Sequence, residues 1–169
     1  MTHMAAKSDT IDSLTLQHQH ISDLLNKHQL LLMHGEIQGA DELYAEFKTY
    51  ISKHLRAENE HLLPLYEKYI SPFPIGGAPE LFIHEHHQIN RYLEKFSGKF
   101  FSVKKNNRHF HLDIVKLFEE YYIFKQLLGH HHLREDTFLF RLLDEVLDDK
   151  LKKEVLSYFS FHPNRAMGF

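Results

Sequence analysis

The chain has 169 residues, 43% of them hydrophobic and 25% charged, with a formal net charge of −3 when histidine is neutral, the balance of a single globular domain covering residues 1–169. No apolar run approaches the roughly 20 residues that cross a bilayer, the start MTHMAAKSDT lacks a signal-peptide core, and the one compact basic stretch is 104-KKNNR-108; neither membrane nor nucleic acid is an expected partner, and the cytoplasm is the expected compartment. The absence of cysteine excludes thiolate zinc sites, iron–sulfur clusters and cysteine nucleophiles, so a metal must be held by nitrogen and oxygen, and histidine, at 16 of 169, is the composition outlier.

Helical periodicity runs through the chain with no competing alternation of the strand kind, so the expected class is all-α. A first helix is expected from about Asp9 to Met33, with Ser8 or Asp9 as N-cap and Gly35 just past its end. A second runs from about Ala40 to Tyr69. The connection 71-SPFPIGGAP-79 holds three prolines and two glycines, which forbids helix. A third helix starts near Pro79, where proline suits a first turn, and ends about Phe100. The fourth runs from about Asn107 to Leu147, with a bend expected at Gly129. A short fifth, Asp149 to Phe159, packs against one end. Four long helices in series predict an up-down-up-down four-helix bundle with a short extra C-terminal helix.

Steps of three and four residues along helix two select Phe47, Ile51, His54, Glu58, Leu62, Leu65 and Tyr69; along helix four they select Phe124, Leu128, His131, Glu135, Leu139, Leu142 and Val146. The spacing from His54 to His131 is kept at every position of the two sets. In each, histidine and glutamate lie four apart, on one face and one turn from each other. Helices one and three form a second pair, held throughout at the spacing from His18 to His86: Ile11, Leu14, His18, Ile21, Leu25, His28 and Leu32 against Pro79, Phe82, His86, Ile89, Leu93, Phe96 and Phe100. The inward stripes thus carry His18, His54, Glu58, His86, His131 and Glu135 at matched heights. Because each residue turns a helix by about 100°, His20 should face outward, His130 and His132 should flank the stripe, and His84 and His87 fall off it, His87 staying close enough to be a reserve ligand.

A single histidine is most often solvated or hydrogen-bonded. Six polar groups on four inward stripes are another matter, because their desolvation cost is large unless bound cations turn it into ligand bonds. Four neutral nitrogens and two carboxylates without sulfur suit iron, manganese or zinc and are too many for one tetrahedral zinc. Two metals fit better, with open positions of the kind that dioxygen, peroxide or nitric oxide chemistry requires.

The pattern resembles the hemerythrin-like, or HHE, cation-binding domain, on 54-HLRAENEHLLP-64 and 131-HHLREDTFLF-140 as a repeated His-x-x-x-Glu element, and on 14-LTLQHQHISDLL-25 and 82-FIHEHHQINRYL-93 with His18 and His86 in the metal-binding slots. The resemblance implies a bundle around two iron ions, in proteins that carry dioxygen, respond to nitric oxide or oxidants, or sense iron and oxygen. The oxygen carriers have a second histidine one turn away on helix three, where this chain has Phe82 and Asn90, which weighs against carriage. They also use an aspartate five residues after the helix-four histidine, the place of Asp136; Glu135 is favoured over it as the repeat partner of Glu58. Two other readings are a ferritin-like oxidase or peroxidase, whose Glu-x-x-His pattern occurs once, as Glu58 with His61, but meets Phe138 in helix four, and a bundle with purely structural zinc.

Overall fold

The structure, a computed structural model, describes residues 10–105 and 110–160, the side chains of 101–105 and 110 excepted. It is all-α, with no strand among the described residues. Helix α1 (Thr15–Met33) is entered through a 3-10 turn, Ile11–Leu14. Helix α2 is one rod in three pieces: Ile37–Ala57, a π-helical turn Glu58–Leu62, and Leu63–Tyr69. Helix α3 is Pro79–Lys105. Helix α4 repeats the plan of α2, with Phe110–Arg134, a π-helical turn Glu135–Phe140, and Arg141–Val146; α5 is Asp149–Ser157.

The expected caps Ser8 and Asp9, and the expected start of helix four at Asn107, lie outside the described residues. Gly35 ends α1 with a φ of 75°, a left-handed turn that lets its own N–H reach Leu32 O and the Glu36 N–H reach Leu31 O. The reversal is tight enough for α2 to begin at Ile37 rather than Ala40. Helix α3 continues past the expected Phe100, and α5 stops at Ser157, short of Phe159; its start is capped by the Asp148 carboxylate, which accepts from the Leu151 N–H at 2.8 Å.

Helix α1 packs on α2 and α3 on α4, while α1–α4 and α2–α3 contacts close the arrangement. Two apolar clusters fill the interior, one containing Phe47, Phe96, Tyr121 and Phe124, the other Tyr66, Phe82, Phe140 and Leu143. On every long helix a polar position separates the two clusters: His18 between Leu14 and Ile21, Glu58 between Leu55 and Leu62, His86 between Phe82 and Ile89, and His131 with Glu135 between Leu128 and Leu139.

The seven stripe positions expected in α1 and the seven in α3 are all buried. In α2 and α4 the stripe holds only as far as the π-helical turn. Beyond it Leu65 and Leu142 are half-buried and Tyr69 and Val146 exposed, while Leu63, Tyr66, Ile70, Leu143 and Leu147 fill the core. A π turn adds a residue to one turn of helix, so a count at 3.6 per turn runs one residue behind after it. The same insertion corrects the bend expected at Gly129, which lies in regular helix; α4 departs from α geometry only at Glu135.

Candidate metal centre

The centre grows out of those two π turns, each of which begins on a glutamate. In α2, Leu63 N–H bonds back to the Glu58 carbonyl, five residues away, as a π turn requires. His54 and Glu58, and His131 and Glu135, therefore sit where regular α-helix gives way, and π turns inside α-helices occur frequently at functional sites. All six expected residues come together. His18, His54, Glu58 and Glu135 form one group whose donor atoms lie within 4.8 Å of one another, and Glu58, His86, His131 and Glu135 form a second. Both glutamates belong to both groups. None of the six is more than 4% exposed.

Each imidazole is held from behind by an oxygen that can only accept. His18 Nδ1–H donates to Asp136 Oδ1 at 3.0 Å, His54 to Gln17 Oε1 at 2.9 Å, His86 to Asn59 Oδ1 at 2.9 Å and His131 to Glu85 Oε2 at 3.2 Å. This fixes the tautomer, so that every Nε2 turns its lone pair inward. Gln17 is itself aligned by donating from Nε2 to Phe159 O at 2.9 Å, and Glu85 by Arg134, whose Nε–H donates at 3.0 Å while its Nη1 reaches Gly76 O.

Inside, acceptors face acceptors. His18 Nε2 is 3.1 Å from His54 Nε2 and 3.2 Å from Glu135 Oε2; His54 Nε2 is 3.0 Å from Glu58 Oε1; His131 Nε2 is 3.1 Å and His86 Nε2 3.2 Å from Glu135 Oε1. Both oxygens of Glu58, Oε2 of Glu135 and Nε2 of His131 are buried without a hydrogen-bond partner among the described residues. Positive charge, as protons or as metal cations, is what such an assembly demands. The electrostatics agree. Burial pushes the His131 imidazole down, but the Glu135 charge and hydrogen bond, with that of Glu85, overcome it and raise it to about 10. Burial likewise opposes His18, where the hydrogen bonds to Asp136 and Glu135 prevail and lift it to about 9. Burial would raise Glu135, yet the surrounding imidazoles, His131 foremost, hold it well below the usual carboxylate range. Two cations replacing those protons would meet nitrogen and oxygen donors alone, a set that suits iron, manganese or zinc.

The residues in reserve stay out. Asp136 bonds His18 at Nδ1 and belongs to neither group, whereas Glu135 belongs to both. His87 is exposed, and His61 stacks on Tyr158 at 3.6 Å between ring centroids. His130 is exposed; His20 is only half-buried, edge-on to Tyr50 at 4.6 Å. His132 is buried, its ring flat on that of His18 at 3.8 Å, and burial together with its imidazole neighbours pushes it down to about 2.

Gln17, Asn59 and Glu85 were not singled out by the stripes, because each lies beside a stripe position. The signal was present in the repeat all the same: Gln17 stands to Glu85 as His18 stands to His86, and Asn59 to Asp136 as Glu58 to Glu135. The residue before the histidine of α1 or α3 supports the histidine of α2 or α4, and the residue after the glutamate of α2 or α4 supports that of α3 or α1. The first half of the chain supplies amides and the second carboxylates, so each group of four has one amide-backed and one carboxylate-backed histidine.

An all-α scaffold with a buried cluster of histidines and shared carboxylates defines a cation-binding class. The chain belongs to the hemerythrin HHE cation-binding domain family, whose model matches residues 9–111. That span holds His18, His54, Glu58 and His86, while His131 and Glu135 lie beyond it. No curated protein and no solved structure matches the chain.

Proposed function

We propose that the chain is one domain, an up-down-up-down four-helix bundle built around a non-heme di-iron centre, which binds or senses a small ligand such as dioxygen, nitric oxide or peroxide in the cytoplasm. His18 and His54 would hold one ion and His86 and His131 the other, with Glu58 and Glu135, which belong to both groups, serving each. The observation that carries this reading is the pair of four-donor groups joined through two fully buried carboxylates, with all four imidazoles oriented from Nδ1.

With both carboxylates shared, the six residues would offer fewer donors than two six-coordinate ions take, which would leave room for exogenous ligands. An iron pair supplies reversible electron transfer and sites at which a diatomic molecule or peroxide binds. The chain's own part is to hold the imidazoles rigidly, to neutralise cationic charge with Glu58 and Glu135, and to exclude bulk water behind Phe82, Phe140 and Leu139. The Glu-x-x-His pattern of ferritin-like oxidases is not assembled, since His61 is engaged with Tyr158 and Glu60 away from both groups, which favours ligand binding over that enzyme class.

Metal content and the optical spectrum of aerobically purified protein test the proposal. Two irons per chain with charge-transfer bands that shift on adding azide or nitric oxide, or on reduction, are expected. Zinc with no visible bands would leave a structural metal, and folded protein that takes up no metal would refute the centre altogether.

A further inference from the structure

A centre this deeply buried needs a way in, and its two halves differ in how they meet the outside. Behind the His86–His131 half, the Nδ1 side of the fully buried His131 is closed by Glu85, and Glu85 by Arg134, which is anchored on the Gly76 carbonyl. Over the His18–His54 half lies a pocket of about 440 Å³ between α1 and α4, lined by Thr15, His18, Gln19, Ser22, Asp23, His132 and Asp136. His18 is thus both part of the centre and part of the pocket wall.

The lining has a definite chemistry. Besides His18 it offers two carboxylates, two hydroxyls, an amide and an imidazole, with no lysine or arginine among them. Asp23 is exposed at the surface, and Asp136 spans from its bond with His18 to solvent, with 35% of its side chain accessible. His132 is the independent sign of a ligand. At 8% exposure it is more than nine-tenths buried, lies flat on His18, lines the pocket, and makes no hydrogen bond among the described residues, so its ring nitrogens are left for a solute. An anion would be repelled by the two carboxylates, and a neutral gas has no use for them. A hydrated dication gains from both carboxylates, through attraction toward an open acidic pocket and through oxygen and nitrogen donors that replace its waters one at a time.

Resting on the metal-centre reading, we propose that this pocket is the loading port for the divalent cation: Asp23 and Asp136 draw the ion in, His132 takes it as a transient ligand, and His18 and His54 receive it. The second ion reaches His86 and His131 only past the shared Glu58 and Glu135, so the two halves fill in sequence.

Stopped-flow uptake of cobalt(II) by the metal-free 169-residue chain tests this, in the wild type, Asp23→Asn, His132→Phe and, as a control acid on the exposed face of α4, Glu119→Gln. Asp23 is exposed, so its substitution leaves folding intact, and phenylalanine keeps the stacking on His18. Uptake should be biphasic, with the fast phase slowed about threefold or more in each port variant, and with less dependence on salt in Asp23→Asn, as expected when steering charge is removed. Final stoichiometry and the cobalt visible spectrum should match the wild type. Fast phases within about 1.5-fold of wild type in both variants, or slowing equalled by Glu119→Gln, or a changed spectrum in His132→Phe without slowing, would overturn the port. A wild type that binds no cobalt would instead sink the metal-centre reading, an outcome that stoichiometry alone reveals.

Discussion

Two regions of the interior bury histidine in opposite ways. His28 sits in the Phe96–Tyr121 cluster at 0% exposure, as buried as His54 and His131 in the centre. Its Nδ1–H donates to Ala40 O at 2.7 Å and its Nε2 accepts from the Tyr121 hydroxyl at 2.8 Å, so both nitrogens are used and burial pushes it down to about 4. The four histidines of the centre each have Nδ1 satisfied and Nε2 turned toward carboxylate. Burial and an inward stripe position are common to both regions. What separates a structural histidine from a candidate ligand is the second nitrogen.

The largest effect should come from removing a shared carboxylate. Glu135→Ala strips a donor from both groups, and metal content measured by elemental analysis should fall from two ions per chain to none, with the loaded protein's thermal stability falling to that of the metal-free form. His131→Ala should do nearly as much. Loss of only one ion in Glu135→Ala would break the shared-carboxylate arrangement. Next come the supports: Asp136→Asn or Glu85→Gln should weaken metal affinity about 10- to 100-fold, read by competition with a chelator, whereas changes around His28 should leave affinity alone. Tyr121→Phe removes the donor to His28 Nε2 and should cost about 1–3 kcal/mol of stability in denaturant titration, without metal loss.

The two regions should also part in their response to pH. The folded value of His28, about 4, lies below its ordinary 6.5, so its contribution is complete above pH 6.5 and is lost as pH falls toward 4, where the unfolded chain takes up a proton that the folded one refuses. In metal-free protein, His18 and His131 are raised, to about 9 and 10; their contribution is complete below pH 6.5 and is lost as pH climbs through those values. Metal loading near pH 7 should therefore release protons, measurable by calorimetry in buffers of different ionisation enthalpy, and should abolish the alkaline loss in thermal melts. The smallest effect is expected at His20, half-buried against Tyr50 and outside both groups. His20→Ala should shift stability by no more than about 0.5 kcal/mol and leave metal content unchanged; metal loss there would mean that the phasing of α1 is wrong.

The sequence alone determined the all-α class, the six inward polar residues and the donor chemistry, since a helical period and the constant spacings between paired helices, His18 to His86 and His54 to His131, are properties of the chain itself. The stripes of α1 and α3 were legible at all seven positions each because nothing interrupts that period. Only the tertiary structure decided the π turns at Glu58 and Glu135 and the one-residue shift that puts Tyr66 and Leu143 in the core in place of Leu65 and Leu142. It also decided which neighbour orients which imidazole, and that His28 is satisfied by Ala40 and Tyr121. A helical period places a side chain on a face, but a hydrogen bond depends on what stands opposite, and that partner is brought in by another helix.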